Sequence, residues 1–183
     1  PTRRSSDLTY DDGRRLTQVA NDRGETQTFA VNAEGSPTSA TVRTAGATIT
    51  RQQSLVYDEL GRLIQSIGAG SQTTGFAYDK VDNPTALTDA RGKLFQTAYD
   101  ALDRVTTQTN PEGQTVQRAY SPSDVLTSHK DGRALETTRV VDGFGRVIRE
   151  VSPDRGTLTY WYDEAGNLTK SIDGDGQETD YAY

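Results

Sequence analysis

Cysteine and methionine are both missing from the 183 residues, and histidine and tryptophan occur once each. Without cysteine there can be no disulfide, no thiolate metal site and no thiol nucleophile. One histidine, His129, is too few for a histidine-based zinc site. Apolar residues make up only 32% of the chain and charged residues 25%, which is lean for a deep core and favours a thin or hollow architecture. No apolar run approaches the roughly 18 residues that would span a membrane, and no signal peptide is visible. The net charge of −6 repels phosphate backbones and argues against a nucleic-acid partner. With no initiating methionine, the chain reads as a piece of something longer.

The first eight residues, Pro1-Thr2-Arg3-Arg4-Ser5-Ser6-Asp7-Leu8, are what an in-frame read through the end of a widely used short-read sequencing adapter would encode. Residues 1–8 are therefore expected to be an artefact, disordered and packed against nothing. The fold is expected to occupy residues 9–183.

What the chain does contain is a repeat. Tyr57, Tyr78, Tyr99, Tyr120, Val141, Tyr162 and Tyr183 are each 21 residues apart, as are Tyr10 and Val31. The gap from Val31 to Tyr57 is 26, one period plus five. Nine repeat starts in one register exclude chance. With each of these residues as position zero, position one is usually Asp, as in Asp11, Asp58, Asp79, Asp100, Asp142 and Asp163. Position four is Gly or Asp, although in the first repeat the glycine, Gly13, comes one residue early. Position five is Arg in every second repeat: Arg15, Arg62, Arg104 and Arg146. These arginines are expected on a solvated, partly paired face rather than at an anion site.

A second turn signal sits at positions eleven to fourteen, as in Asn21-Asp22-Arg23-Gly24 and Asn110-Pro111-Glu112-Gly113. Asx first, proline tolerated second and glycine fourth is type I turn chemistry. The Asx side chain accepts bonds from the turn backbone, and the glycine takes the positive φ that follows. Between turns lie segments of strand length rich in Thr, Val and aromatics. Alternation in Phe76-Ala77-Tyr78 and Tyr160-Trp161-Tyr162 puts the rings on one face. Each repeat is one hairpin. The fold class is all-β: tandem β-hairpin repeats of 21 residues forming a spiralling antiparallel sheet, with the tyrosines in a ladder. The five extra residues should lengthen a hairpin or form a bulge near Ala45 to Gln53, at a rim.

Tyr57-Asp58-Glu59-Leu60-Gly61-Arg62-Leu63 and Tyr162-Asp163-Glu164-Ala165-Gly166-Asn167-Leu168 resemble the YD repeat of the Rhs (rearrangement hot spot) family, and the resemblance covers residues 9–183. The segments beginning at Tyr99 and Val141 match less fully. The resemblance implies a segment of a hollow β-shell, which in bacterial Rhs and toxin-complex proteins encloses a C-terminal toxin. In animal teneurins a similar shell sits at the cell surface and takes part in adhesion. The partners so implied are further repeats and an enclosed toxin domain of the same polypeptide, or else a cell-surface glycan or protein. A secreted or cell-surface location in a bacterium goes with the first.

No residue pattern carries catalysis. His129 has Ser128 as its neighbour, so in a strand the two point to opposite faces and cannot form a triad. Asp173-Gly174-Asp175-Gly176 looks like the start of a calcium loop but lacks the later carboxylates, and it occupies the repeat's turn. Gly68-Ala69-Gly70-Ser71 lacks the lysine and helix of a phosphate loop. The recurring Asp at position one offers many equivalent carboxylates and no unique pair for glycoside hydrolysis. The chain is therefore expected to be no enzyme, with no catalytic, cofactor or metal site. A solenoid fragment with cut edges and little core should be marginally stable or self-associating. Sedimentation and thermal unfolding check this, since a monodisperse monomer melting above about 65 °C would mark a self-sufficient domain.

Overall fold

A computed structural model describes residues 6–183, which run through strands and the turns between them as far as Asp180. The chain divides into two units, 1–94 and 95–183. The first holds β1 (Ser6–Tyr10), β2 (Leu16–Asn21), β3 (Thr26–Val31) and β4 (Pro37–Arg43). It continues with β5 (Ile49–Tyr57), β6 (Leu63–Gly68), β7 (Thr73–Tyr78) and β8 (Pro84–Thr88). The second takes up β9 (Leu94–Tyr99), β10 (Val105–Thr109), β11 (Thr115–Tyr120), β12 (Leu126–Lys130) and β13 (Glu136–Val141). It ends with β14 (Val147–Ser152), β15 (Gly156–Tyr162), β16 (Leu168–Ile172) and β17 (Glu178–Asp180). Within each unit every strand pairs antiparallel with its neighbours in the chain, and among the described residues of either unit no second layer packs on these strands. The expected all-β array of tandem hairpins is what forms.

The turns follow from the Asx signals. In every connection except β14–β15, the first turn residue donates its amide to the carbonyl four residues on, as in Asp58 to Arg62 at 3.0 Å. This is a three-residue loop whose last member takes a left-handed conformation. Gly61 does so at φ 78°, and Asp82, Asp103 and Asp124 do so at 71°, 60° and 61°. Hence position four is Gly or Asp in every repeat but the first, the residues that visit this region at least cost. In the first repeat Arg14, not the early Gly13, adopts it at φ 60°, so the register is unbroken.

Such turns pair residues of like parity, so alternation alone would send equivalent residues of a 21-residue repeat to opposite faces. One bulge per repeat removes the conflict. Tyr57 pairs with Leu63 but Val56 pairs with Gln65, which leaves Ile64 extra. The same shift recurs at Tyr10, Val31, Tyr78, Tyr99, Tyr120, Val141 and Tyr162. The extra residue is always position seven: Thr17, Thr38, Ile64, Thr85, Thr106, Thr127, Ile148 and Thr169. All are β-branched. The hydroxyls of Thr17, Thr106 and Thr169 donate to the carbonyls of Thr9, Ala98 and Trp161 at 3.1, 3.2 and 3.2 Å.

The five inserted residues lengthen the β4–β5 hairpin, whose turn is Thr44–Thr48. Five is odd, so this hairpin needs a bulge of its own. Arg43 pairs with Ile49 and Val42 with Arg51, leaving Thr50 extra. Thr50 donates its hydroxyl to the Val42 carbonyl at 3.3 Å, as Thr17, Thr106 and Thr169 do to theirs.

The N-terminus requires a correction. Residues 1–5 lie outside the described residues, but Ser6, Asp7 and Leu8 continue β1 and pair with Asn21, Ala20 and Val19. The expectation that Leu8 packs against nothing therefore fails for the backbone, although its side chain is 52% exposed. The edge of β2 presents unpaired N–H and C=O groups, and Ser-Asp-Leu carries no proline or glycine to prevent pairing, whatever its origin.

No apolar residue among the described ones is fully buried. Stability therefore rests on ladders, turns and side-chain contacts between neighbouring repeats. Deletion of Thr50 should be tolerated, with stability within about 1 kcal/mol of the parent, because the bulge leaves with it and parity is kept. Deletion of Gln117, which pairs with Thr107 and Lys130 and is no bulged residue, should unfold or aggregate the chain, because every residue on one side of the gap then turns to the opposite face. Urea unfolding of the two variants measures the difference.

Candidate functional site: an arginine clasp between repeats

The densest polar chemistry starts at position one. Asp58 Oδ1 accepts the amides of Leu60 and Arg62 at 3.0 and 2.9 Å. That fixes the carboxylate, and Oδ2 takes Arg62 Nε at 2.8 Å. The pairs Asp11–Arg15, Asp100–Arg104 and Asp142–Arg146 close in the same way at 2.7, 2.8 and 2.7 Å.

Anchored at one end, each guanidinium reaches the following repeat. The Nη1 groups of Arg15, Arg62, Arg104 and Arg146 donate to the carbonyls of Asn32, Asp79, Ser121 and Asp163 at 3.0, 2.9, 3.2 and 3.3 Å. Arg62, Arg104 and Arg146 also lie over the rings of Tyr78, Tyr120 and Tyr162, at 5.0, 4.7 and 4.8 Å from the centroids, a cation–π arrangement. Those tyrosines return a bond. Their hydroxyls donate to Leu63, Val105 and Val147, the position-six carbonyls of the arginine's own repeat, at 2.9, 3.0 and 2.8 Å. Asp82 and Asp124 add a second carboxylate to Arg62 and Arg104 at 2.7 and 2.6 Å.

The arginines are thus less solvated than expected, with only 22% of the Arg62 and Arg104 side chains exposed. The tyrosine ladder is likewise an alternation of ring and guanidinium. A planar, delocalised, weakly hydrated cation can satisfy a carboxylate, a carbonyl and a ring at once, which lysine cannot do. The clasp lowers the carboxyl pKa values. For Asp58 the chief cause is the Arg62 amide, opposed by desolvation and reinforced by the Arg62 guanidinium. For Asp100 the guanidinium bond from Arg104 comes first.

A second cluster surrounds Glu150, whose side chain is only 7% exposed. It accepts from Arg139 Nε at 2.7 Å and from Arg155 Nη2. Arg155 belongs to the one exceptional connection, between β14 and β15. Burial, followed by the Glu150 charge, pushes the neighbouring Tyr160 hydroxyl pKa up. The remaining residues singled out from the sequence fall into structural roles. Ser128 donates to Glu136 at 2.7 Å, and His129 pairs in register with Arg118 and Thr137. Asp173 Oδ1 accepts the amides of Asp175 and Gln177 at 3.0 and 2.8 Å, which is turn chemistry. Among the described residues no three His, Asp or Glu side chains converge as a metal site would need.

The fold and its clasps define a class of structural repeat sheet. The teneurin YD-shell family matches residues 2–183, and the chain belongs to it. Among solved structures, the chain is similar to the TcdB2-TccC3-Cdc42 structure at 18% identity, covering 97% of this chain and 9% of that one with a TM-score of 0.56. It is also similar to the Photorhabdus luminescens Tc holotoxin pore at 14% identity, covering 92% and 11% with a TM-score of 0.44. The chain therefore spans about a tenth of the structures it resembles. No curated protein sequence matches it.

The lowered carboxyl values fix a pH dependence. An unfolded chain returns each aspartate to about pKa 3.9. The stabilisation is then complete above roughly pH 5 and is lost as pH falls through the lower folded values. The unfolding midpoint should be flat from neutral to mildly acidic pH and drop below about pH 4. In Asp100→Asn it should start lower and drop less steeply. Thermal melts of the two proteins across this range test the assignment.

Proposed function

We propose that the chain is a non-catalytic structural segment of a β-shell that encloses a C-terminal toxin carried on the same polypeptide. The observation that carries this reading is the clasp, in which the most concentrated charged and aromatic side chains bind one repeat to the next. Membership of the YD-shell family and the fold shared with a TcdB2-TccC3 structure support it. On this reading the partners are further repeats and the enclosed domain, and the protein is secreted or displayed at a cell surface. The net charge of −6 disfavours nucleic acid.

The test uses the full-length polypeptide to which this segment belongs. Limited proteolysis should spare the C-terminal domain in the intact protein. Deleting residues 100–141, which is two whole repeats, keeps register and face and so preserves folding, but it shortens the wall and should expose that domain to cleavage. Equal cleavage in both proteins would defeat the shell reading and favour an adhesion surface that contacts a glycan or protein.

A further inference from the structure

Between the turns Asn32–Ser36 and Asp58–Arg62 lies a cavity of about 460 Å³. Here position five is Ser36, so the repeat's own side chain is too short to reach its neighbour. The receiving groups are nevertheless all present. Tyr57 has its hydroxyl tied to the Pro37 carbonyl at 2.9 Å, the same bond that orients Tyr78, Tyr120 and Tyr162. This bond is exposed, whereas the three beneath guanidinium groups are partly buried. The Asp58 carbonyl, equivalent to the one that Arg62 finds on Asp79, accepts the Gly61 amide at 3.0 Å and keeps a second lone pair. Position one of the same repeat is Asn32, whose Oδ1 accepts the Ser36 amide at 2.8 Å, so the carboxylate of the other clasps is lacking. Two acids compensate: Glu34 and Glu59 both line the cavity. Glu34 occupies position three, where Phe144 flanks Arg146 in the clasp to Tyr162 at 5.1 Å.

We propose that this cavity is a guanidinium-binding site, which takes in trans the cation that Arg62, Arg104 and Arg146 supply in cis. The chain carries its own template for the complex: a planar cation over a tyrosine face, donating to the position-one carbonyl of the next repeat. Two sources share that chemistry, a small free guanidinium compound and an arginine side chain of another polypeptide segment. The site depends on local geometry alone and holds whether or not the shell encloses a toxin.

Ethylguanidinium chloride titrated into the isotope-labelled 183-residue chain at constant ionic strength tests it. Saturable amide shifts at Ser36, Tyr57 and Gly61 are expected in the millimolar range, and none with urea, the neutral planar analogue. Ser36→Arg should fill the cavity from within, abolish the shifts and raise the unfolding midpoint. Glu59→Gln, at an exposed turn position compatible with folding, should weaken binding by about two- to fivefold. A blocked Gly-Arg-Gly peptide that binds more tightly than ethylguanidinium identifies a polypeptide arginine as the source, and equal affinity identifies the small cation. Absence of saturable shifts in the parent, equal shifts with urea, or unchanged affinity in Glu59→Gln overturns the proposal.

Discussion

A period of 21 residues is odd, and a strand alternates its faces every two. Every other feature of the array depends on how that mismatch is resolved. The turns preserve parity, so the one bulged residue at position seven returns each tyrosine to the face of the last. β-Branched residues suit the position, because their backbone favours extended geometry. Threonine adds a hydroxyl, which at Thr17, Thr106 and Thr169 donates to a carbonyl of the facing strand. The insertion in the β4–β5 hairpin obeys the same arithmetic: five residues and a second bulge, with a threonine at it.

Once the tyrosines share a face, their rings and the position-five arginines can meet. A single-layered sheet cannot bury large side chains deeply, and no apolar residue here is fully covered. The clasp substitutes for a core. It places a guanidinium among a carboxylate, a carbonyl and a ring, each of which stays partly accessible, so the desolvation cost is small beside that of a buried ion pair. The Asx turn makes this possible by fixing the carboxylate before the arginine arrives.

Arginine at alternate repeats gives the array a double unit of donor and acceptor. Arg62 and Arg104 face repeats that carry Asp82 and Asp124 at position four, whereas Arg15 and Arg146 face repeats with Gly35 and Gly166 there. Like charges are thereby kept apart along the face. Between double units position five is Ser36, Asn83 or Val125 in place of arginine, and the cavity beside Tyr57 lies at such a junction.

The sequence by itself determined the all-β class, the 21-residue hairpin, both turns and the place of the insertion, because each depends on residues at most a few positions apart. The bulge was also legible, in the Thr and Ile of position seven, but only to a reading that asked how an odd period keeps its faces. The tertiary structure alone decided what the arginines do. Their carbonyl partners lie 17 residues away in the chain and become neighbours only when successive hairpins pair, so a periodic charge that reads as solvated is instead clasped. It likewise decided the fate of Ser6 to Leu8: backbone hydrogen bonding to a free sheet edge is indifferent to what the side chains spell.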